Sequence, residues 1–377
     1  MSWPESWIHF RNRLLSSPRF QARAIANPLL RVIARRSANR SFDLCAGFVY
    51  SQVLLASVRT GLLPLLASGA VPAASIATAT GLGPDATGRL LDAAAAIDLV
   101  EPLDGGTRFA LGSLGATLLG NPAVLAMVEH HALFYVDLAD PVALLKGEVT
   151  QTRLRSFWAY SQSAAGAVIP PQQAADYSRL MSGTQPFVTQ ELLDAVDFTG
   201  HRLLMDVGGG DGTFIAAAAQ RYPDLRFRLF DLPPVAALAR ARFEREGLAA
   251  RAESCGGSFR DDAIPAGADV VTLVRVLHDH DDEVVAALLA KLRGAIAPGG
   301  LLVIAEPMAG SGDSRRVGAA YFGFYLLAMG QGRPRTAARL TQMLQAAGFG
   351  QVRERPTSLP LQCRVLTARP LSSVSSS

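Results

Sequence analysis

The sequence predicts a two-part α/β protein, in which a helical amino-terminal part precedes a mostly parallel sheet covered by helices on both faces. Apolar residues recur at three- and four-residue spacing from about residue 41 to 125, which is typical of helices. After about residue 200, apolar runs such as HRLLMDV and GLLVIAEP alternate with helical segments, as the strands of a parallel sheet do. The length of 377 residues also favours two domains.

The composition indicates a folded protein with a large core. Hydrophobic residues make up 49% of the chain and charged residues 18%, which excludes disordered, collagen-like and coiled-coil chains. Cys45, Cys255 and Cys363 lie far apart and form no CxxC pair. They therefore support neither a zinc ribbon nor a disulfide framework, and we expect a protein of a reducing cytoplasm.

Two uncharged stretches, residues 60–84 and 111–128, are long enough to span a membrane. Prolines interrupt the first stretch, and glycines, an asparagine and a proline interrupt the second. The opening segment MSWPESWIHFRNRLL contains no continuous apolar core of the kind that a signal peptide has. We therefore expect neither a membrane span nor export.

The first forty residues form a basic amino-terminal arm, which contains eight arginines and one acid, Glu5. These charges sum to +7, so the formal net charge of +4 for the whole chain leaves −3 for the remainder. Large apolar side chains, among them Trp3, Trp7 and Phe10, are interleaved with the arginines. Two interpretations stay open: the arm lies on an anionic membrane surface, or it packs on another subunit.

The stretch SIATATGLGPDATGRLLDAAAAIDLVEPLDGGTRFALG predicts two short helices joined by a turn at residues 81–84, then a hairpin across residues 104–106. This is a winged helix-turn-helix layout, so a DNA-binding regulator is a rival function. The second helix carries only Arg89 as a cation, beside Asp85 and Asp92. Groove binding neutralises several phosphates, so the pattern favours a dimerisation module and no nucleic-acid partner.

The segment DVGGGDG, residues 206–212, follows a predicted strand and precedes a helix that begins near Thr213. Glycines in this position let the backbone pass close to a ligand at the carboxyl end of a strand. Thr213 stands where a dinucleotide-binding GxGxxG motif has its last glycine, so the spacing favours a cofactor without phosphates, S-adenosylmethionine. We expect Asp206, Gly208 and Gly210 to contact it, with a plain tight turn as the alternative.

Asp231 ends the next predicted strand, RFRLFD, a little more than 20 residues beyond the glycines. At this spacing a carboxylate binds the ribose hydroxyls of an adenosine. The alternative is a cap on the turn before Pro233 and Pro234. Together with the glycine turn, Asp231 favours a nucleoside site.

The segment LHDHDDE, residues 277–283, directly follows another predicted strand and places His278 at the carboxyl edge of the sheet. An imidazole accepts a proton near neutral pH, so His278 is a candidate general base, with a capping role as the alternative. Glu306 follows the strand LLVIAE and is expected to fix the tautomer of His278 through a hydrogen bond to one ring nitrogen. We expect His280 to face solvent or to line the site without transferring a proton.

In this order, the segments DVGGGDG, FDLP, GGSF, LHDHDDE, APGG and VIAEP resemble the plant-type S-adenosylmethionine-dependent O-methyltransferases. The resemblance covers about residues 41–368 and implies a Rossmann-like methyltransferase domain behind a winged-helix domain that joins a homodimer. FDLCAGFVYSQVLLA and YFGFYLLAMGQGRPRT are most similar to the carotenoid O-methyltransferases of purple phototrophic bacteria. Those enzymes methylate the tertiary hydroxyl of acyclic carotenoids such as hydroxyneurosporene or demethylspheroidene.

The resemblance also implies residue roles. It assigns the methionine moiety and ribose of the cofactor to Gly208 and its neighbours, the ribose hydroxyls to Asp231, and the catalytic base to His278. Glu306 corresponds to one of two glutamates that flank this base. The sulfonium cofactor needs no metal, so none is expected.

Three positions depart from the family pattern. Ser258 and Phe259 stand where the family has Asp followed by Met or Phe, so the adenine is expected to contact a hydroxyl or the backbone. Arg275 lies one place from the position of a cofactor-contacting lysine. Pro334 replaces the second flanking glutamate, so His278 is expected to keep at most one of its usual carboxylate supports.

The resemblance divides the chain into the arm (1–40), a winged-helix dimerisation domain (41–125), connecting helices that line the substrate pocket (126–190) and the methyltransferase domain (191–377). A carotenoid requires a long apolar channel, although aromatic stripes of this kind also form cores. The expected channel walls are Phe134, Phe157, Trp158, Tyr177, Met181, Phe187, Tyr321, Phe322, Phe324, Tyr325 and Met329.

The predicted function is methylation of a hydroxycarotenoid by a cytoplasmic homodimer that touches the inner face of the photosynthetic membrane. An aromatic polyketide or a phenol is the alternative acceptor within the same chemistry. A relative that binds the cofactor without transferring methyl is a further alternative.

Overall fold

Our computed structural model describes residues 3–158, 183, 185–310, 316–358, 360 and 363–371. The chain divides into two compact units, Met1–Asn121 and Pro122–Ser377.

The first unit opens with three helices, α1 (Trp3–Leu15), α2 (Pro18–Ala26) and α3 (Pro28–Arg59). The side chain of Ser17 accepts a hydrogen bond from Phe20 N, and the side chain of Asn27 accepts from Leu29 N. A proline follows each of these caps at the first helical position, where its missing N–H costs nothing. The local sequence therefore sets both helix starts.

The remainder of this unit is the predicted winged helix-turn-helix. Gly81 ends the first helix of the pair with φ 69°, in the left-handed region that glycine favours. Three short strands form an antiparallel sheet in the order β1-β3-β2, so the predicted hairpin is present. The elements are α4 (Leu62–Leu65), β1 (Val71–Pro72), α5 (Ala73–Thr80), α6 (Pro84–Ala96), β2 (Val100–Leu103), β3 (Arg108–Leu111) and α7 (Ser113–Leu119).

Helix α3 is long and apolar enough to cross a membrane, judged by length and composition alone. Its most apolar 18-residue window has a mean hydropathy of 1.4, and 11% of that window is buried. The two stretches considered from the sequence, residues 60–84 and 111–128, lie outside this helix and form shorter helices, strands and turns. The apolar spacing from about residue 41 predicts a helix over the second half of α3, and the structure confirms it.

The second unit begins with helices α8 (Pro122–Asp137), α9 (Pro141–Leu145), α10 (Arg153–Phe157) and α11 (residues 185–195). The carboxylate of Asp137 accepts hydrogen bonds from the backbone N–H groups of Arg153 and Leu154, at 2.7 and 2.8 Å. This carboxylate therefore joins the end of α8 to the start of α10.

The rest of the second unit is a seven-stranded sheet in the order β6-β5-β4-β7-β8-β10-β9. The five strands β4 to β8 are parallel, and β10 runs antiparallel to both of its neighbours. The strands are β4 (Leu203–Val207), β5 (Arg226–Asp231), β6 (Ala252–Gly256), β7 (Ala268–Val274), β8 (Ile296–Glu306), β9 (Phe349–Arg355) and β10 (Arg364–Pro370). The helices are α12 (Thr213–Arg221), α13 (Pro233–Arg245), α14 (Asp282–Ala295), α15 (Gly323–Met329) and α16 (Ala337–Ala346), with a π-helix (Arg316–Phe322) before α15.

Alternate residues of the strands enter two separate cores. Leu204 and Val303 belong to one buried cluster, whereas Met205 and Leu302 belong to the other. This alternation is expected when both faces of a sheet are covered. Because β4, β5, β7 and β8 are parallel, their carboxyl ends meet at one edge, and the candidate site lies there.

Candidate active site

The glycine turn after β4 requires glycine at specific positions. Gly208 and Gly210 have φ values of 72° and 61°, which residues with a Cβ atom rarely adopt. A Cβ atom on Gly208 would also lie 2.7 Å from a methyl carbon of Val276. The backbone of the turn therefore stays bare and can lie close to a ligand.

Asp231, at the end of β5, is joined to this turn. Its Oδ2 accepts a hydrogen bond from Gly210 N at 2.8 Å, and its Oδ1 accepts from Leu232 N at 2.7 Å. Burial raises the pKa of Asp231 to about 6, against the lowering effect of the two backbone donors. The two sequence signals for a nucleoside site are thus in direct contact.

Asp206 lies behind the glycine turn, not on the surface of the pocket. It is 1% exposed, and Thr272 Oγ1 donates to its Oδ1 at 2.6 Å. Its Oδ2 has no hydrogen-bond partner among the described residues. Burial, with a contribution from the charge of Asp231, raises its pKa to about 7. The sequence predicts Asp206 to contact the cofactor, whereas the structure places its side chain beneath Gly209.

A cavity with about 680 Å³ of empty volume, open to solvent, lies over the glycine turn. One side presents glycine backbone and a carboxylate, and another presents apolar side chains. Its lining residues are Gly208, Gly210, Asp231, Leu232, Val235, Gly257, Ser258, Phe259, Arg260, Arg275, Val276, Asp279 and His280. These groups fit a nucleoside, because acceptors for hydroxyl groups and an apolar wall are both present.

The structure changes the expected role of Ser258. Its Oγ donates to Asp261 Oδ2 at 3.1 Å and accepts from Arg260 N at 3.2 Å, while its own N–H donates to Asp262 Oδ2 at 2.8 Å. The hydroxyl therefore closes a local turn, and the prediction of a hydroxyl contact to adenine has little support. The ring of Phe259 lines the cavity directly.

His280 is buried and lines the cavity, which is the second of the two placements that the sequence predicts for it. Its ring packs edge-to-face on Phe259 with centroids 5.1 Å apart. Burial and the charge of Arg260 lower its pKa to about 3. The neutral ring therefore accepts at Nδ1 from Arg260, 3.1 Å away.

His278 lies in a 3₁₀ turn (Leu277–Asp279) after β7 and is 5% exposed. Its Nδ1 lies 3.4 Å from Glu306 Oε2, and the same oxygen accepts from the backbone N–H of His278 at 3.2 Å. The predicted proximity of these two residues is therefore present. Glu306 is fully buried at the end of β8.

A second carboxylate beside His278, which the sequence did not predict, comes from Asp279 and not from the position of Pro334. Asp279 Oδ1 lies 3.2 Å from Nε2 of His278, so each ring nitrogen has a carboxylate neighbour. Burial disfavours the imidazolium, but the charges of Asp279 and Glu306 outweigh it and raise the pKa of His278.

Pro334 precedes Arg335, which holds the 3₁₀ turn Leu277–Asp279 in place; we call this turn the histidine turn. Arg335 is 2% exposed and donates to the carbonyl oxygens of Leu277 and His280, at 2.7 Å each. It also donates to Asp282 Oδ1 at 2.8 Å. The sequence pattern indicated only that Pro334 replaces a glutamate, and it did not predict the positioning role of Arg335.

Arg275 lines the cavity, and its backbone φ of 59° is uncommon for a residue other than glycine. Its N–H donates to the carbonyl of Ala305 at 2.8 Å. The bond holds the residue at the end of β7 against β8.

Four predicted substrate residues, Phe134, Trp158, Tyr325 and Met329, belong to one buried cluster. The rings of Phe134 and Tyr325 lie 5.3 Å apart at 70°. Phe157, Tyr321, Phe322 and Phe324 pack against this cluster, whereas Phe187 is 43% exposed. Tyr177 and Met181, the other predicted substrate residues, lie outside the described residues.

Two histidines of α8 place polar groups in this aromatic cluster. Trp158 Nε1 donates to Tyr325 Oη at 2.9 Å, and Nε2 of His130 lies 2.7 Å from the same hydroxyl oxygen. Burial lowers the pKa of His130 to about 4, which keeps the ring neutral. His131 Nε2 lies 2.6 Å from Tyr321 Oη. The pair of histidines in VEHHALFY could have predicted these polar groups, but only the aromatic residues of this segment were interpreted.

A chain of ring contacts connects the aromatic cluster to the histidine turn. The Phe322 ring lies 5.8 Å from His278 and 5.0 Å from Tyr321. In the described part of the chain, no group of three or more His, Cys, Asp or Glu side chains is placed to hold a metal ion.

The fold and this site define an O-methyltransferase with a separate dimerisation unit. Residues 135–350 match the family model of the O-methyltransferase domain, and residues 42–121 match that of the O-methyltransferase dimerisation domain. The chain therefore belongs to the S-adenosylmethionine-dependent O-methyltransferase family, and its winged-helix unit supports a homodimer. The apolar carboxyl half of α3 is part of the matched dimerisation segment.

Among the most similar relatives are two demethylspheroidene O-methyltransferases. The enzyme of Cereibacter sphaeroides is 45% identical over 94% of this chain and 93% of its own length. That of Rhodobacter capsulatus is 41% identical over 96% of this chain and 89% of its own length. A solved structure of CalO1, a methyltransferase of calicheamicin biosynthesis with SAH bound, matches with a TM-score of 0.73 at 26% identity, over 89% of this chain and 98% of CalO1.

Proposed function

We propose that this protein methylates the tertiary hydroxyl of an acyclic hydroxycarotenoid of the hydroxyneurosporene or demethylspheroidene type. The observation that supports this substrate class best is the similarity to two demethylspheroidene O-methyltransferases over nearly the whole chain. S-adenosylmethionine supplies an electrophilic methyl group on a cationic sulfur.

We assign the cofactor to the cavity above the glycine turn. Asp231 accepts hydrogen bonds from the ribose hydroxyls, in exchange for part of its bonding to Gly210. Phe259 and Leu232 provide apolar surface for the adenine. The bare backbone of Gly208 and Gly210 lies against the methionine moiety, while Arg275 and Ser258 shape the wall and Asp206 supports the turn from behind.

His278 is the proposed general base. Glu306 holds Nδ1 protonated, which leaves Nε2 to take the proton of the acceptor hydroxyl as the C–O bond forms and the methyl C–S bond of the sulfonium breaks to leave a neutral thioether. Because Asp279 already lies 3.2 Å from Nε2, its carboxylate stabilises the imidazolium that results. An aliphatic alcohol is a weaker acid than a phenol with its pKa of about 10, so alignment of the reacting atoms supplies most of the rate.

The acceptor lies along the aromatic cluster beside His278. Phe134, Trp158, Tyr325 and Met329 supply apolar surface, and we retain Tyr177 and Met181 as proposed wall residues. A phenol or an aromatic polyketide is the second candidate, because the His131 and Tyr321 pair brings polar atoms into this region.

The proposed organisation follows the predicted segments, with residues 1–40 as an arm, 41–125 as the dimerisation domain, 126–190 around the acceptor and 191–377 around the cofactor. We propose a cytoplasmic homodimer that works at the inner face of the photosynthetic membrane, because its acceptor dissolves in lipid.

The test is a methyl-transfer assay with purified protein, methyl-labelled cofactor and a panel of detergent-dispersed hydroxycarotenoids and phenols. We expect label to enter the tertiary hydroxyl of an acyclic carotenoid. Labelling of phenols alone would contradict the carotenoid assignment, and no labelling of any acceptor would contradict the transferase itself.

A further inference from the structure

The basic arm lies outside both family matches, which begin at residues 42 and 135. The match to the Rhodobacter capsulatus relative covers 96% of this chain, so it includes more than half of the forty-residue arm. CalO1, by contrast, is matched almost in full by 89% of this chain. The arm therefore lies outside the two family domains, and a relative named for a carotenoid substrate is similar to part of it.

Helix α1 presents an apolar face that the described residues leave uncovered. Trp7, Phe10 and Leu14 are three and four residues apart, so they lie on one side of the helix. They are 57%, 52% and 37% exposed, and the Trp7 and Phe10 ring centroids lie 6.0 Å apart. Asn12 lies on the opposite side of the helix. Exposed apolar surface with a polar rear face is typical of a helix that lies at an interface.

Charge indicates which surface this helix meets. All eight arginines of the arm are exposed, and the arm carries +7 against −3 for the remaining residues. A second copy of the arm would bring +7 against +7, which opposes pairing of arm with arm. A surface of anionic phospholipid offers both the opposite charge and an apolar layer beneath it.

We propose that the arm is an interfacial anchor for anionic phospholipid, with the apolar face of α1 at the acyl boundary and the arginines at the phosphate level. The proposal rests on the proposed function, because it places the enzyme where a carotenoid acceptor dissolves. The anchor adds to the catalytic unit and takes no part in methyl transfer itself.

The test is co-sedimentation of the full-length protein with phosphatidylcholine vesicles that either contain or lack phosphatidylglycerol. We expect binding to the anionic vesicles only, with affinity that falls as salt is added. Changing Arg11 and Arg13 to Gln should weaken binding about fivefold for each arginine, or about 25-fold together. Changing Trp7, Phe10 and Leu14 to Ser should weaken it by at least about tenfold.

A matched control changes Val136, Val142 and Leu145 to Ser, since these side chains are 59%, 58% and 60% exposed outside the arm. The control should bind vesicles like the wild type. Equal binding to neutral and anionic vesicles, or no loss in the arm variants, would overturn the proposal. Conversion of a dimer into a monomer by the arm variants would also overturn it, because the surface would then belong to a second copy.

Methyl transfer to detergent-dispersed carotenoid separates this proposal from the proposed function. The arm variants should retain wild-type turnover there, because the acceptor no longer has to be taken from a bilayer. Loss of turnover in the arm variants would overturn the anchor proposal, whereas inactivity of the wild type refutes the proposed function and leaves vesicle binding as an independent result.

Discussion

Replacing Glu306 with Gln should move the acid limb of the pH profile to lower pH. The carboxylate lies 3.4 Å from Nδ1 of His278, and at an effective dielectric of about 20 such a pair is worth about 5 kcal/mol. Each pKa unit corresponds to about 1.4 kcal/mol, so loss of this charge can lower the pKa of His278 by at most about 3.5 units. The substituted glutamine keeps a hydrogen-bond acceptor and Asp279 remains, so we expect a decrease of about one to three units in the pKa of His278.

The sign follows from which form of His278 is active. The base must be neutral to accept a proton, so kcat/KM falls as the pH drops through the pKa of His278, which is raised in the native enzyme. Removing the charge of Glu306 lowers that pKa and extends activity to lower pH. The weaker base should also lower the plateau of kcat by about tenfold to a hundredfold.

The assay is kcat/KM from about pH 5 to 9 for both proteins, spanning the reference pKa of histidine, with thermal unfolding to confirm that the variant is folded. Glu306→Asp is the matched control, because it retains the charge and should keep the acid limb within about one unit of the wild type. An acid limb that stays in place in the Gln variant, or rises, would refute the electrostatic reasoning.

Three further substitutions test the cofactor site, the histidine turn and the aromatic cluster. Asp231→Asn should weaken cofactor binding about tenfold to a hundredfold by calorimetry, because a charged acceptor is lost; unchanged affinity would remove ribose binding from Asp231. Arg335→Met should lower the free energy of unfolding by about 1 to 3 kcal/mol in urea titrations, since two carbonyls and one carboxylate each lose a donor; an unchanged free energy of unfolding would show that these bonds do not stabilise the turn. Tyr325→Phe should cost about 1 to 3 kcal/mol of stability, since Trp158 Nε1 and His130 Nε2 lose their partner; an unchanged Tm would contradict the network.

The part of the site that sequence could predict is the part that parallel strands bring together. Strand ends at Val207, Asp231 and Glu306 necessarily reach one edge of the sheet, so the glycine turn, the ribose carboxylate and the support of His278 could be named in advance. Strand patterning was sufficient because each of these residues directly ends or follows a buried apolar run.

Other features depend on side-chain direction or on distant pairing, which periodicity does not contain. Asp279 adjoins His278 in sequence, but only the 3₁₀ turn shows that its carboxylate reaches Nε2. The bond between His130 and Tyr325 joins residues 195 positions apart. The hydroxyl of Ser258 looked available for adenine until the turn with Asp261 was visible.

The central claim is that His278 removes the proton of the acceptor hydroxyl. Its most direct test is single-turnover methyl transfer by His278→Ala, with cofactor affinity measured on the same preparation. We expect nearly unchanged cofactor affinity and a rate lowered about a hundredfold to ten-thousandfold. A rate equal to that of the wild type would contradict the claim and remove His278 from the mechanism.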